Sequence, residues 1–350
     1  MIIYSKSQYM GDGAIGRLDT PIKMLIEHES DLMKKKGGIC DWLFNKEKSN
    51  HFAETVIVQK GFNCFDYVPE GGAAVNDCVA ETFTKSIEHL QFMKEFTITA
   101  EMMEDANFGI AAEAKRRIQN FVRSYYQTIN KACASAISCA NSAFINFAGA
   151  RISTTSPDGM PLFHRNHSWG YEEASGNQSN YFYGDFARAN GSYSIEKAEN
   201  SLYSLAAALR NMKDENGDPT GYVADTIILP GNQPKLEKMI KQICGSENAV
   251  GTANNDVNIH YGNWNIIVIP TWNADCDEMI IMSSEANKAL GGNLFFERVP
   301  LTVSSWIDHH TGNYNWTGRC RFSLGFGSYK HILKVTADEE ALETATALAD

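Results

Sequence analysis

The sequence predicts an α+β fold with several extended parts, and three observations lead to this prediction. Apolar residues recur at steps of three and four for about 30 residues after position 107, which is typical of one long amphipathic helix. Apolar and polar residues alternate at 54–60 and 95–100, which indicates a strand on each side of a glycine-containing segment. Buried strands and helices follow one another between 194 and 282, which favours a small α/β domain.

Composition and charge exclude several classes of protein. The chain has 350 residues and a formal net charge of −11, so we expect no binding to nucleic acid through clustered basic residues. No run approaches the roughly 20 apolar residues that span a bilayer, and the N-terminus lacks the pattern of a signal peptide. The eight cysteines contain no C-x-x-C pair, which favours free, buried thiols in a reducing compartment.

The first 50 residues are too polar to form a domain of their own. A short helix is predicted from Pro21, ended by the basic residues 34–36 and the glycines 37–38. A single helix cannot bury its own apolar face, so we expect residues 1–50 to form an N-terminal arm. The apolar face consists of Ile22, Leu25 and Ile26.

Residues 51–101 predict a long two-stranded arm, with strands near 54–60 and 95–100. The residues between them are rich in glycine, asparagine and aspartate, and loops of this length are rare in compact domains. Ordering such a segment costs roughly 1–2 kcal/mol per residue, so contacts from outside the arm must offset the cost. We expect those contacts to come from another copy of the chain. The inferred inter-subunit contact residues are Val56, Val58, Lys60, Phe62 and Phe65.

The long helix is predicted to begin after the N-cap context at 105–107 and to run to Ile137. At 1.5 Å per residue it would be about 45 Å long, and the absence of a heptad partner favours a single spine helix over a coiled coil. Beyond it we expect loops with short strands over 150–193. The remaining predicted elements are helices from Ser194 and around 236–243, strands at 226–230, 266–270, 279–282, 294–299, 320–324 and 332–335, and a short acidic helix over 337–350.

No convincing catalytic, cofactor-binding or metal-binding group emerges from the motifs. The G-x-G-x-x-G match at 11–16 lacks the preceding buried strand that a dinucleotide site requires. Two histidine pairs, with Cys276, have the donor types of a zinc site, but we expect structural roles for them because no H-E-x-x-H helix is present. The pairs are His164 with His167, and His309 with His310 after Asp308. The sequence therefore predicts a structural protein that is not an enzyme and needs no cofactor.

Three stretches, in this order, resemble the major capsid proteins of tailed phages with the Hong Kong 97-type fold, and more narrowly the Mu-like major head subunits. The first is SPDGMPLFH at 156–164, similar to the loop that follows the spine helix in that family. The second is LAAALRNMKDENGDPTG at 205–221, leading into the strand IILP at 227–230. The third is RCRFSLGFG at 319–327, similar to the closing strand.

The resemblance implies an organisation into four parts. These would be an N-terminal arm at 1–50, an extended β-hairpin loop at 51–101, a peripheral domain at 102–190 and 296–328 that carries the spine helix, and an α/β axial domain at 191–295 and 329–350. It further implies self-assembly as pentamers and hexamers into an icosahedral head around double-stranded DNA. The expected location is the virion, after assembly in the cytoplasm of the host bacterium.

The resemblance also implies partners and leaves alternatives open. A portal and a scaffolding protein are expected during assembly, the latter as a separate protein because only residues 1–50 precede the loop, and a decoration protein is a further candidate. Some family members cross-link a loop lysine to a neighbouring subunit, and Lys60 occupies such a position. The alternatives are an encapsulin-like shell around an enzyme, and a soluble metal-dependent enzyme that uses His164, His167, His309 and His310.

Overall fold

The computed structural model describes residues 3–4, 14–74, 76–77, 80–99, 101, 108–170, 176–184, 186, 193–248 and 257–339. The helices are α1 (Ala14–Lys36), α2 (Ile39–Leu43), α3 (Phe108–Ser138), α4 (Ile195–Arg210), α5 (Pro234–Gly245) and α6 (Ser284–Ala289). The strands are β1 (Ile3–Tyr4), β2 (Asn45–Lys48), β3 (Ala53–Lys60), β4 (Ala80–Glu88), β5 (Leu90–Ile98), β6 (Phe144–Phe147), β7 (Ala150–Ser153), β8 (His167–Ser168), β9 (Asn177–Gln178), β10 (Tyr181–Tyr183), β11 (Thr226–Pro230), β12 (Asn265–Ile269), β13 (Glu278–Met282), β14 (Asn293–Ile307), β15 (Tyr314–Phe326) and β16 (Ile332–Thr336).

The chain divides into two compact units. The first unit comprises residues 1–54, 88–133 and 295–324, and the second comprises residues 55–87, 134–294 and 325–350. The four-part organisation expected from the resemblance remains a prediction.

A five-stranded sheet and two helices build the first unit. Strands β1, β14, β15 and β5 lie side by side in that order, and β2 also pairs with β14. Helices α1 and α3 contribute the buried Ile26, Ile118 and Val122 to one apolar cluster with Trp316 of β15. Burying such side chains supplies about 1.5–3 kcal/mol each, which is why these helices pack on the sheet.

Part of the predicted N-terminal arm packs within the first unit. Helix α1 begins before Pro21, and its residues Ile22 and Ile26 are buried within the same unit. Leu43 of α2 is buried as well. The apolar face of α1 therefore finds its cover in its own chain and needs no second copy.

The predicted pairing of the two-stranded arm was wrong. Strand β3 pairs with β4, and β5 is antiparallel to β15, with Phe96 opposite Trp316. The rings of these two residues stack with their centroids 5.2 Å apart, and cross-strand aromatic pairs of this kind stabilise a sheet. The aromatic side chains of β5 therefore bind it to the large sheet instead of to β3.

A second five-stranded sheet forms the centre of the second unit, in the order β10, β16, β13, β11, β12. Strand β11 is parallel to β12 and antiparallel to β13, as expected for a mixed α/β domain. Helices α4 and α5 cover it with Leu202, Leu209 and Ile240, which are fully buried. Ser194 is the N-cap residue of α4, and Pro234 is at the start of α5, a position that tolerates proline.

Most predicted elements are confirmed. The long helix runs over 31 residues, and the predicted helices and strands between 194 and 335 are present, although β14 and β15 are much longer than the strands predicted at 294–299 and 320–324. The short helices α2 and α6 and strand β4 were not predicted. The N-cap context at 105–107 and most of the acidic segment 337–350 lie outside the described residues.

Seven cysteines lie in the described part of the chain, and all seven are free thiols. The prediction that they are buried was wrong for Cys64 and Cys139, which are exposed, and Cys276 is only half-buried. Cys78 lies outside the described residues. Among the helices that the structure describes, none has the length and apolar character required to span a membrane.

Candidate functional site: the hairpin arm and its base

The hairpin arm consists of β3, β4 and the connecting residues 61–79. Side chains alternate along β3, so that Val56, Val58 and Lys60 lie on the half-buried face while Ile57 is exposed on the other. The hydroxyl of Thr82 in β4 donates to the carbonyl oxygen of Val58 at 2.9 Å. Three of the five predicted contact residues therefore share one face of the arm.

The connecting segment carries the other two predicted residues, and both are exposed. Phe62 is 68% exposed, Phe65 is fully exposed and Tyr67 is 90% exposed. Exposed aromatic side chains grouped in this way mark an interaction surface in soluble proteins. The contact of these residues with another copy of the chain stays a prediction.

Local hydrogen bonds shape the connecting segment. The backbone N–H of Asn63 donates to Oδ2 of Asp77 at 2.7 Å, and the N–H of Gly72 donates to the carbonyl of Pro69 at 2.9 Å. Gly71 in this turn has a φ of +82°, a left-handed conformation that favours glycine. These contacts join the two sides of the segment and present its aromatic side chains.

Close backbone approaches anchor the base of the arm. A Cβ added at Gly325 would lie 2.2 Å from Cδ1 of Ile87, and one added at Gly327 would lie 2.2 Å from the carbonyl oxygen of Gly291 and 3.2 Å from Cγ1 of Val56. The obstacle at 327 is backbone, so only glycine permits this approach there, while a side chain at 325 would have to displace the end of Ile87. The side-chain amide of Asn216 also contacts the arm, because it donates to the carbonyl oxygen of Phe62 at 3.1 Å.

Lys85 ties β4 to the loop that follows β7. Its ammonium donates to the carbonyl oxygen of Thr155. Burial lowers the pKa of Lys85 to about 8, and the negative charge of Asp158 acts in the opposite direction. A lysine of the arm is thus held in a largely buried position beside an acidic residue of the same unit.

A buried cluster around Asp158 and His167 lies in that loop region. Nδ1 of His167 is 2.6 Å from Oδ2 of Asp158, and Nε2 is 3.2 Å from the carbonyl oxygen of Leu162. The imidazole stacks on the ring of Tyr329 with 3.8 Å between centroids. Burial alone would raise the pKa of Asp158, but the hydrogen bond and the charge of His167 lower it below its ordinary value.

A second buried ion pair completes the base. Nζ of Lys330 lies 2.6 Å from Oε1 of Glu215, with side-chain exposures of 4% and 16%. Burial lowers the pKa of Lys330, and the charge of Glu215 opposes this shift. Glu215 belongs to the same turn as Asn216, which binds the arm. The ion pair therefore helps to hold the turn that contacts the arm.

The metal-site alternative finds little support in these contacts. Both ring nitrogens of His167 face protein acceptors, and His164 accepts at Nδ1 from the backbone N–H of Asn166. His309 and His310 are in an exposed turn of the first unit, and the thiol of Cys276 contacts Oγ1 of Thr336. Within the described residues, no cluster of three or more His, Cys, Asp or Glu side chains could hold a metal ion.

The G-x-G-x-x-G match does not occupy a strand-to-helix turn in the described part of the chain. Ala14, Ile15 and Gly16 belong to α1, while Gly11 and Gly13 lie outside the described residues. The side chains that the sequence analysis missed are those of β4, including Lys85. Phe83, Lys85 and Ile87 alternate with small polar or acidic residues, and this alternation could have predicted the strand.

Comparisons with known proteins identify the fold. No protein-family model matches the sequence, and no curated protein matches it. The structure is similar to one from Mycobacterium phage Patience, with a TM-score of 0.52 and 12% identity over 96% of this chain and 91% of that one. It is also similar to the capsid structure of the cyanophage P-SCSP1u, with a TM-score of 0.50 and 10% identity over 86% and 88% of the two chains.

The capsid of the Myoviridae phage XM1 gives a similar result, with a TM-score of 0.50 and 10% identity over 85% of this chain and 89% of that chain. Similarity over this much of both chains at such low identity shows a shared fold. The chain therefore has the α+β fold of phage capsid subunits, which confirms the predicted fold class.

Proposed function

We propose that this chain is the major capsid protein of a bacteriophage, which self-assembles as pentamers and hexamers into an icosahedral head around double-stranded DNA. The observation that carries the proposal is a hairpin arm with exposed aromatic side chains, in a chain whose fold is that of phage capsid subunits. A closed shell requires each copy to place one surface on a different surface of its neighbour, and an arm of this kind supplies such a surface.

In this proposal, the arm contacts a neighbouring copy through Val56, Val58, Lys60, Phe62 and Phe65. Val56, Val58 and Lys60 are only half-buried in the single chain, and the aromatic residues beyond the strand are largely exposed. Burying an aromatic side chain at a neighbour supplies about 1.5–3 kcal/mol, which offsets part of the entropy cost of association.

The net charge of −11 supports enclosure of DNA without tight binding. A subunit with an excess of negative charge does not attract the phosphate backbone strongly, so DNA can be packed and later released. The assembly partners in this proposal are a scaffolding protein and a portal, with a decoration protein as a further candidate. Assembly takes place in the cytoplasm of the host bacterium, and the final location is the virion.

Paired variants of the arm test the proposal. Replacing Phe62 and Phe65 by serine removes exposed apolar surface without opening a core, so the subunit should fold normally but lose assembly. Tyr203→Ser, which changes a partly exposed aromatic residue on α4, serves as the control. Electron microscopy should show shells for the original chain and the control, and only small oligomers for the double variant. Equal shell yields for all three proteins would refute the role of the arm.

The content of the purified particles tests the second part of the proposal. Particles from infected cells should contain nuclease-protected double-stranded DNA. Particles that contain a single enzyme and no DNA would instead identify an encapsulin-like compartment.

A further inference from the structure

A cavity of the first unit has a positively charged wall. It has a volume of about 700 Å³, and its basic side chains come from α1, β2 and α3. They are Lys34, Lys36, Lys46, Lys48 and Arg123. The acidic residues of the wall are Asp41, Glu47 and Glu297. The cavity is therefore net positive in a chain whose formal net charge is −11, and such a local excess of positive charge favours an anionic partner.

Two of these lysines are available to a partner. The other three basic side chains already have a carboxylate partner, which is Glu29 for Arg123, Asp41 for Lys46 and Asp31 for Lys34. Of the ion pairs found in the described part of the chain, none involves Lys36 or Lys48. Both lysines are exposed. Their charges therefore remain for a ligand that enters the cavity.

Apolar side chains form another part of the same wall. Ile129 of α3 and the β14 residues Phe295 and Leu301 line the cavity, and all three are more than nine-tenths buried. A cavity that combines apolar wall residues with available lysines suits an amphipathic peptide whose polar side chains are acidic. A simple inorganic anion would leave the apolar part of the wall unused.

One segment of this chain has the matching composition. Residues 339–350, here called the acidic segment, contain no basic residue, and their acidic residues are Glu339, Glu340, Glu343 and Asp350. Apolar residues recur at Ala341, Ala345 and Leu348, the spacing of one face of a helix. Glu339 is the one residue of this segment that the structure describes, and it is exposed. The acidic segment therefore has both the charge and the apolar face that the cavity requires.

We propose that the acidic segment of one copy binds in this cavity of a neighbouring copy. Its apolar face covers the apolar wall, and its carboxylates pair with Lys36 and Lys48. The acidic segment belongs to the second unit and the cavity to the first, so the contact joins two different surfaces of the two copies, as a closed shell requires. The inference rests on the proposed function, because it requires copies of the chain to associate.

Photo-cross-linking of the full chain tests this contact. A benzophenone amino acid replaces Leu342, which lies beside the apolar face of the acidic segment. Unlabelled and isotope-labelled chains are mixed in equal amounts while dissociated, returned to assembly conditions and irradiated. Mass spectrometry of the digest should show position 342 joined to peptides that contain cavity residues such as Met33 or Ile129. Links between light and heavy peptides should be as frequent as links within one isotope, because the partner is another copy.

Charge variants show whether the lysines of the cavity carry the contact. Lys36→Glu combined with Lys48→Glu should lower the yield of these links severalfold, because both charges that face the carboxylates are reversed. Adding Glu339→Lys and Glu343→Lys to this variant should restore the yield. Lys35→Glu combined with Lys235→Glu is the matched control, since it changes the net charge equally at two exposed lysines outside the cavity wall, and it should leave the yield unchanged.

Three results would overturn the proposal. These are links from position 342 to other surfaces only, links confined to one isotope, and equal yields in the charge variant and its control. Negative-stain microscopy of the same samples separates this inference from the proposed function. Shells that form without the links would contradict the contact alone, whereas a sample with neither shells nor links would contradict both.

Discussion

Nδ1 of His167 lies 2.6 Å from Oδ2 of Asp158, and both side chains are almost completely buried. Because the other ring nitrogen of His167 faces the carbonyl oxygen of Leu162, both nitrogens have acceptor partners. This arrangement holds the loop on which Lys85 of the arm is bound. The support of the arm can therefore be tested by mutating residues that are not part of it.

Replacing Asp158 by asparagine should lower the free energy of unfolding by about 1–3 kcal/mol, since it removes the carboxylate to which the buried imidazole of His167 is hydrogen-bonded. The matched control is Asp31→Asn, whose carboxylate is 70% exposed and 3.9 Å from Lys34, and which should cost less than about 1 kcal/mol. Urea denaturation at pH 7 measures both changes. Equal effects of the two substitutions would show that the buried pair is not a support.

The same pair predicts a dependence on acid. The pKa of Asp158 is lower in the folded chain than its ordinary value of 3.8, so its stabilising contribution is present above that value. The contribution is lost as the pH falls through the lower, folded pKa. Between pH 5 and pH 3, the original protein should therefore lose stability more steeply than Asp158→Asn, as measured by thermal unfolding at each pH. An equal loss of thermal stability in the two proteins would contradict the assignment to Asp158.

Lys85 predicts a second pH dependence, in the alkaline range. Its pKa is about 8 when folded and 10.5 ordinarily, so between these values the unfolded chain binds more protons than the folded chain. Stability must then rise with pH in this window. Lys85→Met, which keeps the length of the side chain but cannot titrate, should lack this rise. Urea denaturation at pH 7.5 and pH 9.5 measures the difference, and an identical rise in both proteins would contradict the assignment to Lys85.

The ion pair of Lys330 and Glu215 should contribute far more to the free energy of unfolding than a similar pair on the surface. Glu215→Gln leaves a buried ammonium without its charged partner and should cost about 3–5 kcal/mol. Glu237→Gln breaks an exposed pair with Lys241 on α5 and should cost less than about 1 kcal/mol. Chemical denaturation at pH 7 compares them, and a cost for Glu215→Gln no larger than that for the control would contradict the structural role.

The close approach at Gly327 can be tested with alanine. A Cβ there meets the carbonyl oxygen of Gly291, which cannot move as a flexible side chain would, so Gly327→Ala should destabilise the protein by about 1–3 kcal/mol. Gly61→Ala, where nothing lies within 4 Å of the added atom, should change stability by less than about 0.5 kcal/mol. Thermal unfolding of the two variants checks both values. A Gly327→Ala protein as stable as the Gly61→Ala control would contradict the packing at the base.

Local patterns were enough to predict most elements, because periodicity is a property of neighbouring residues. The long apolar stripe of α3 and the short buried run of β11 are examples. Strand pairing was harder, because it depends on partners far away in the sequence. The pairing of β5 with β15 joins residues more than 200 positions apart, and nothing near Phe96 indicates Trp316 as its partner.

The residues that hold the base of the arm could not be predicted from the sequence, for a similar reason. Asp158, Glu215 and Tyr329 come from three separated segments, and no local pattern indicates that they lie close together. The exposed aromatic residues at 62 and 65 were predicted as contact residues because the segment around them is rich in glycine, asparagine and aspartate, with only isolated aromatic side chains.

The particle mass of the purified chain tests the central claim most directly. Recombinant protein should be examined by sedimentation velocity over a wide concentration range and by negative-stain microscopy of the same samples. The account predicts closed shells, or rings of five and six copies, at the higher concentrations. A single species with the mass of one chain at every concentration, with and without added crowding agent, would contradict it.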